Sequence, residues 1–374
     1  MPRSLAYEPR NALNAICPYF TMFPLEYPLR VLRGHCKSSP VVMDPFCGRG
    51  TTLFAARQLG LVSRGIDSSP VAVAIARAKL CKIDVSATLD LAQHYIKNDE
   101  AEDLPDTEFF KHAFSPTVLQ QICAIRSALL RTRRDNDSTA LLRAVMLGCL
   151  HGPRSKSIDN QAYLSNQMPR TFCAKPDYSV RYWRANELTP PDIDIISILR
   201  RKLSLLRHSR LHNNVSLADA RLGDSRLAQS LPKHNRDFSI VITSPPYYGM
   251  KTYVEDQWLR NWFLGGASYV QLNKNAQLTH SSQNVFAESL GSVWKNMGRT
   301  HANDLHMYIR FGVIPSKKVN PKKMIRDSLD ASGISWRIVS TRPAATASSG
   351  RRQADHMSIK SAAATEFDFH VCRR

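Results

Sequence analysis

Phe238-Ser-Ile-Val-Ile-Thr-Ser-Pro-Pro-Tyr247 is the stretch on which the reading of the fold turns. Phe238 to Ile242 is a short apolar run, rich in β-branched residues, of the kind that forms a strand buried on both faces. At Thr243 it breaks into a polar clamp closed by an aromatic ring. In open α/β sheets, ligands gather in the crevice beyond the carboxyl ends of the strands, so this loop sits where chemistry is expected. Pro245 and Pro246 fix φ and remove two backbone donors, which leaves the carbonyls of Ser244 and Pro245 as preset acceptors. Tyr247 supplies a face for stacking.

Such a clamp suits a flat ring that carries an amino group. The lone pair of an exocyclic amine on a nucleobase is delocalised and weakly nucleophilic. If the Ser244 hydroxyl and the Pro245 carbonyl each take one N–H, the nitrogen is drawn toward tetrahedral geometry and its lone pair turns toward an electrophile. A proline-rich turn with a packed tyrosine is the plain alternative, and a second motif upstream weighs against it.

Pro40-Val-Val-Met-Asp44 reads as another buried strand. It runs into Pro45-Phe-Cys-Gly-Arg-Gly-Thr-Thr52 and then a helical stretch from Leu53 to Leu59. Gly48 and Gly50 let the backbone approach a ligand, and the start of the helix offers unpaired N–H groups to a carboxylate. A further strand, Leu61 to Ile66, ends in Asp67, where a carboxylate can bond ribose hydroxyls. The third glycine of a dinucleotide fingerprint is missing, and no Gly-Lys-Ser/Thr follows as in a P-loop. S-adenosyl-L-methionine is the ligand that fits best.

Asp44-Pro-Phe-Cys-Gly-Arg-Gly-Thr-Thr52 together with Thr243-Ser-Pro-Pro-Tyr247 resembles the amino-group DNA methyltransferases, which make N4-methylcytosine or N6-methyladenine. Cys17-Pro-Tyr-Phe-Thr-Met-Phe-Pro24, with Leu25 to Leu32 behind it, resembles that family's extra cofactor motif. The resemblance implies that Phe23 borders the cofactor and that Asp44 holds the methionine amino group. It implies further that Pro45, Phe46, Gly48, Gly50 and Thr51 line the cofactor and that Asp67 binds the ribose. Asp219-Ala-Arg-Leu-Gly-Asp224 resembles the loop, after a third strand, that contacts the adenine amine; Asp224 is favoured over Asp219, a loop or cap role being the alternative for each. Ser244, Pro245, Pro246 and Tyr247 take the catalytic positions. Serine at the head of the clamp goes more often with cytosine N4 than with adenine N6. Here the cofactor segment precedes the catalytic one, with a long insertion between them. That order leaves open which segment reads the target.

Composition agrees with a nucleic-acid partner. The 374 residues carry 51 Lys and Arg against 31 Asp and Glu, a formal net charge of +20, and a surface of that sign favours a polyanion. Double-stranded DNA is the expected partner, the rival readings being an RNA methyltransferase and a catalytically silent DNA-binding module. Basic runs recur at Arg131 to Arg134, Arg200 to Lys202, Lys317-Lys318, Lys322-Lys323 and Arg351-Arg352. The eight cysteines form no Cys-x-x-Cys pair and no Cys/His metal spacing, which fits a reduced cytoplasm and no metal. No signal peptide and no membrane-length apolar run is visible, so a soluble cytoplasmic protein is expected. The clamp holds no cysteine, which excludes the covalent route to carbon-5 methylation; Cys47 reads as a packing residue. No nuclease motif is visible, so a restriction endonuclease partner would be a separate chain, and the oligomeric state is open.

Residues 1–90 are expected to form the N-terminal and cofactor-binding part, 91–210 a helical, loop-rich insertion, and 211–374 the catalytic part. Within the insertion, Phe109 to Leu130, Ser138 to Leu150 and Asp192 to Arg207 have helical spacing, and the loops between them mix Arg, Lys, Asn, Gln and aromatics. It is either a DNA-contacting region or a helical cap. Tyr253 to Phe263 reads as a helix whose Trp258 and Trp262 belong to a core. Leu305 to Phe311, Ser335 to Ser340 and Phe367 to Val371 complete an α/β, Rossmann-like S-adenosylmethionine methyltransferase sheet of about seven strands.

Overall fold

The computed structural model describes residues 9–17, 24–153, 161–166, 168, 175–207, 209, 218–231, 237–249, 254–271, 278, 280–313, 319–344 and 366–374. Phe23, Lys317-Lys318, Arg351-Arg352 and, in the two loops at 151–157 and 163–170, residues 154–157, 167, 169 and 170 lie outside them. The chain divides into two compact units: residues 20–76, 211–252 and 274–374, and residues 1–19, 77–210 and 253–273.

The first unit holds a seven-stranded sheet. Its strands are β1 (Val42–Asp44), β2 (Ser63–Asp67), β3 (Asp219–Leu222), β4 (Ile240–Thr243), β5 (His306–Gly312), β6 (Trp336–Pro343) and β7 (Glu366–Arg373), arranged β3-β2-β1-β4-β5-β7-β6. The first five in that order run parallel; β7 is antiparallel to both β5 and β6. This is the Rossmann-like methyltransferase sheet, doubly wound about a switch point between β1 and β4. Both of those central strands are buried throughout, as their unbroken apolar runs require. The core on the β4–β5 side is built from Val241, Met307, Ile309 and Phe311 against Phe286, Leu290 and Trp294 of the helix Gln283–Met297 and Ile325 of the helix Pro321–Ala331.

One expectation needs correcting. Asp219 to Leu222 is β3 itself, in register with Arg64 to Asp67, rather than the loop after a strand. As an edge strand it buries only Ala220 and leaves Arg221 and Leu222 exposed, so it lacks the apolar run by which the central strands announce themselves.

The second unit is helical: Val85–Asn98, Glu108–Ala113, Pro116–Arg131, Asp137–Cys149, Pro176–Ala185, Ile195–Leu206 and Val254–Phe263. Ser115 caps one start, its hydroxyl accepting from Val118 N at 3.2 Å with Pro116 following; Asn136 and Thr139 form a reciprocal capping box at another. Trp258 and Trp262 are buried, with Trp258 at 4.9 Å from Phe109 and Trp262 at 4.6 Å from Phe110 between ring centroids. They are core, as their spacing suggests. No described helix is long and apolar enough to cross a membrane.

Candidate active site

Every described candidate residue falls in the sheet-bearing unit. Asp44 ends β1 and is fully buried. Its Oδ1 accepts from the Thr243 hydroxyl at 2.7 Å and from Phe46 N at 3.1 Å. Its Oδ2 is also buried but has no hydrogen-bond partner. Burial pushes the carboxyl up to about 6, against the Thr52 and Thr243 hydroxyls and the Phe46 amide, which favour the anion. A carboxylate poised near neutrality with one unspent oxygen is suited to an arriving ammonium group.

The glycine loop is shaped by two left-handed residues. Gly48 has φ +49° with nothing within 4 Å of where a Cβ would stand, so its outer face is open to a ligand. Gly50, at φ +72°, would bring a Cβ to 2.9 Å from that of Ala76, so this position needs glycine twice over. Thr51 is buried and begins the helix Thr51–Gln58. Phe46 packs on the core, edge-on to Trp294 at 6.4 Å. Asp67 ends β2; its Oδ2 accepts from Gly48 N at 2.8 Å and its Oδ1 from Ser69 N at 2.9 Å. Burial raises its pKa against those amides. One carboxylate thus fixes the loop and retains lone pairs for a further donor.

After β3, the Ser225 hydroxyl donates to the Pro45 carbonyl at 2.6 Å, joining the third loop to the first. The Asp224 carboxylate is engaged by Arg226, whose Nε and Nη2 donate at 2.6 to 3.0 Å. Although burial opposes ionisation, those bonds hold its pKa below the usual carboxylate range. A ligand amine at Asp224 would have to share or displace Arg226. Asp219 pairs with Arg221 at 2.5 Å.

In the clamp Pro245 is buried, and Ser244, Pro246 and Tyr247 are half-buried. The Tyr247 ring stands edge-on to Phe311 at 5.6 Å, and its hydroxyl donates to Glu366 Oε1 at 2.8 Å. Behind it, Gly249 N donates to His280 Nδ1 at 3.1 Å.

Asp44, Gly48, Gly50, Thr51, Asp67 and the Ser244 to Tyr247 clamp therefore share the carboxyl edge of β1, β2 and β4. Reasoning from sequence missed the residues that join them. Thr243 lay in the quoted motif without a role, and a buried strand-end threonine beside an aspartate was the available signal. Ser225 and Glu366 had none. Gly65 was also passed over: a Cβ there would stand 2.7 Å from that of Cys47, so this glycine lets the glycine loop lie flat on β2.

A sheet of this order with a glycine loop after β1 and a Pro-Pro loop after β4 defines the methyltransferase class. The family model described as DNA methylase matches residues 4–78. The type II methyltransferase M.MjaII of Methanocaldococcus jannaschii is 32% identical over 101 residues, 26% of this chain. The match spans only 19% of that relative's length. Among solved structures, the ribosomal RNA methyltransferase aviRa of Streptomyces viridochromogenes aligns over 99% of this chain and 95% of its own, at 11% identity and TM-score 0.35. Magnesium protoporphyrin IX methyltransferase of Synechocystis, solved with bound S-adenosylmethionine, aligns over the full length of both chains at 9% identity and TM-score 0.32. At such scores these two likenesses bear no weight.

Proposed function

We propose that the protein is an S-adenosylmethionine-dependent DNA methyltransferase that acts on the exocyclic amino group of a base rotated out of the duplex, cytosine N4 being favoured over adenine N6. The observation that carries this reading is the 2.7 Å hydrogen bond from Thr243 to Asp44. It ties the residue before the clamp to the carboxylate at the head of the glycine loop, so the two motifs open side by side at the switch point.

Asp44 Oδ2 would receive the methionine ammonium, Gly48 and Gly50 the cofactor backbone, Asp67 the ribose hydroxyls, and Asp224 the adenine amine; Phe23 is assigned to the cofactor by motif alone. When bound, the cofactor supplies an electrophilic sulfonium methyl. Tyr247, held at ring edge and hydroxyl, offers its face to the extrahelical base; stacking of this kind contributes about 1–3 kcal/mol toward an unstacking cost of a few. The Ser244 hydroxyl and the Pro245 carbonyl accept the two amino protons and orient the nitrogen lone pair, so much of the rate comes from alignment. The same ring face stabilises positive charge as it develops on that nitrogen.

The helical unit supplies the DNA-contacting surface in this reading. Arg133, Arg134, Arg181, Arg200 and Arg207 are exposed on it, suited to phosphates. Arg131, from the same basic run, is spent on Asp99 and Glu102.

The test is to express the protein in cells lacking DNA methylation and sequence their genome with modified-base detection. N4-methylcytosine at a recurring short site is expected. N6-methyladenine would keep the mechanism and overturn the base, and an unmarked genome from folded protein would refute the DNA substrate.

A further inference from the structure

At the end of the sheet away from the clamp, β5 begins with His306 and β7 nears its end with His370 and Cys372. In the antiparallel ladder His306 stands directly opposite Cys372, and Tyr308 opposite His370. His370 and Cys372 are two apart, so they share a face of the strand. His306 Nδ1 lies 2.9 Å from His370 Nε2 and 3.1 Å from Cys372 Sγ; Cys372 Sγ lies 3.5 Å from His370 Nε2. Three potential ligand atoms thus converge on one point, within 4.8 Å of one another.

We propose that His306 Nδ1, His370 Nε2 and Cys372 Sγ bind a zinc ion. Tetrahedral zinc with ordinary bond lengths holds two nitrogens about 3.3 Å apart and a nitrogen and a sulfur about 3.6 Å apart, so the observed triangle needs to open by only a few tenths of an ångström. The ring orientations suit the task. His306 Nε2 lies 3.1 Å from Asp304 Oδ1, so a proton on Nε2 leaves the Nδ1 lone pair facing the site, the carboxylate–histidine arrangement that supports a metal ligand. The His370 ring is stacked on Tyr308 at 4.4 Å and 8°, and Tyr308 in turn bonds His35 Nε2 at 2.8 Å. His35 is therefore a neighbour engaged elsewhere, and the fourth position is for water. Arg337, across the ladder from Cys372, opposes a cation and is exposed to solvent.

The site is remote from the clamp. Gly312, at the carboxyl end of β5, is six residue steps from His306, about 20 Å at 3.3 Å per residue. Its role is to pin the start of β5 to the end of β7, not to take part in methyl transfer, so it stands independently of the proposed reaction.

The experiment uses the full chain. After zinc loading and desalting, elemental analysis should find one zinc per chain. Cobalt(II) substitution should give the near-ultraviolet band of a thiolate–cobalt bond, and zinc should raise the melting temperature. Cys372→Ser should abolish the thiolate band, and His370→Ala should weaken binding at least tenfold, whereas Cys36→Ser should leave both unchanged. Wild-type protein that retains no stoichiometric zinc overturns the proposal whatever the variants do, as does a thiolate band that survives Cys372→Ser.

Discussion

Thr243→Val keeps the shape of the side chain and removes the hydroxyl that donates to Asp44 Oδ1 at 2.7 Å. A hydrogen bond to a charged group is worth about 1.5–3 kcal/mol in a buried setting, and 1.36 kcal/mol corresponds to one pKa unit. Losing it should lift Asp44 from about 6 by roughly 1–2 units, with the Thr52 hydroxyl and the Phe46 amide still in place. A raised carboxylate pKa means that the folded, ligand-free protein binds the proton more tightly than the unfolded chain. Its stability contribution is therefore present at low pH and is lost as pH rises from the ordinary carboxylate value through about 6. A bound ammonium group reverses the preference by favouring the anion. Affinity for S-adenosylmethionine should accordingly fall about tenfold per pH unit below about 6 in the natural protein, and below about 7–8 in the variant. At pH 7 the variant should bind up to about tenfold more weakly, and at pH 9 the two should converge. Calorimetric titration of the cofactor across that range is the assay. An unchanged pH midpoint, or a deficit that persists at pH 9, would refute the role given to this hydrogen bond.

Tyr247→Ala should lower methylation by about 5- to 150-fold, the equivalent of 1–3 kcal/mol of stacking, while salt-dependent DNA binding in a filter assay stays near wild type; full activity would sink the stacking role. Gly50→Ala must adopt a left-handed backbone, costing about 1–2 kcal/mol, and must also displace Ala76, so a thermal melt should drop by several degrees and cofactor affinity should fall with it. Arg310 donates to both oxygens of Asp368, at 2.7 and 2.8 Å, and lies 4.1 Å from the centre of the Tyr27 ring. Arg310→Met should destabilise by about 3 kcal/mol, the low end for breaking a buried pair because Arg30 at 3.6 Å still faces Asp368; a melting temperature within a degree of wild type would contradict this.

What could be read from the chain follows from burial. β1 and β4 are paired on both sides and covered on both faces, so their apolar runs and the loops that follow them stood out. β3 satisfies its neighbour through backbone bonds while exposing its side chains, so its residues looked like a loop. Trp258 and Trp262 were recognisable as core by their spacing, but their partners Phe109 and Phe110 lie far earlier in the chain, and periodicity says nothing about which helix meets which. Asp224 shows the limit of motif transfer: it follows β3, and its carboxylate is engaged by Arg226, two residues on. The His306, His370 and Cys372 group escaped notice for a related reason, since an antiparallel ladder, not a short spacing, brings its members together.

β7 is in ladder contact with β5 at seven successive pairs, from His306 opposite Cys372 to Gly312 opposite Glu366. Glu366, which fixes the Tyr247 hydroxyl, therefore rides on a stiff rod whose lengthwise travel is blocked by every rung at once. A loop-borne acceptor would drift with the breathing of the clamp. A strand-borne one moves only with the sheet, so the tyrosine hydroxyl is located relative to the sheet itself.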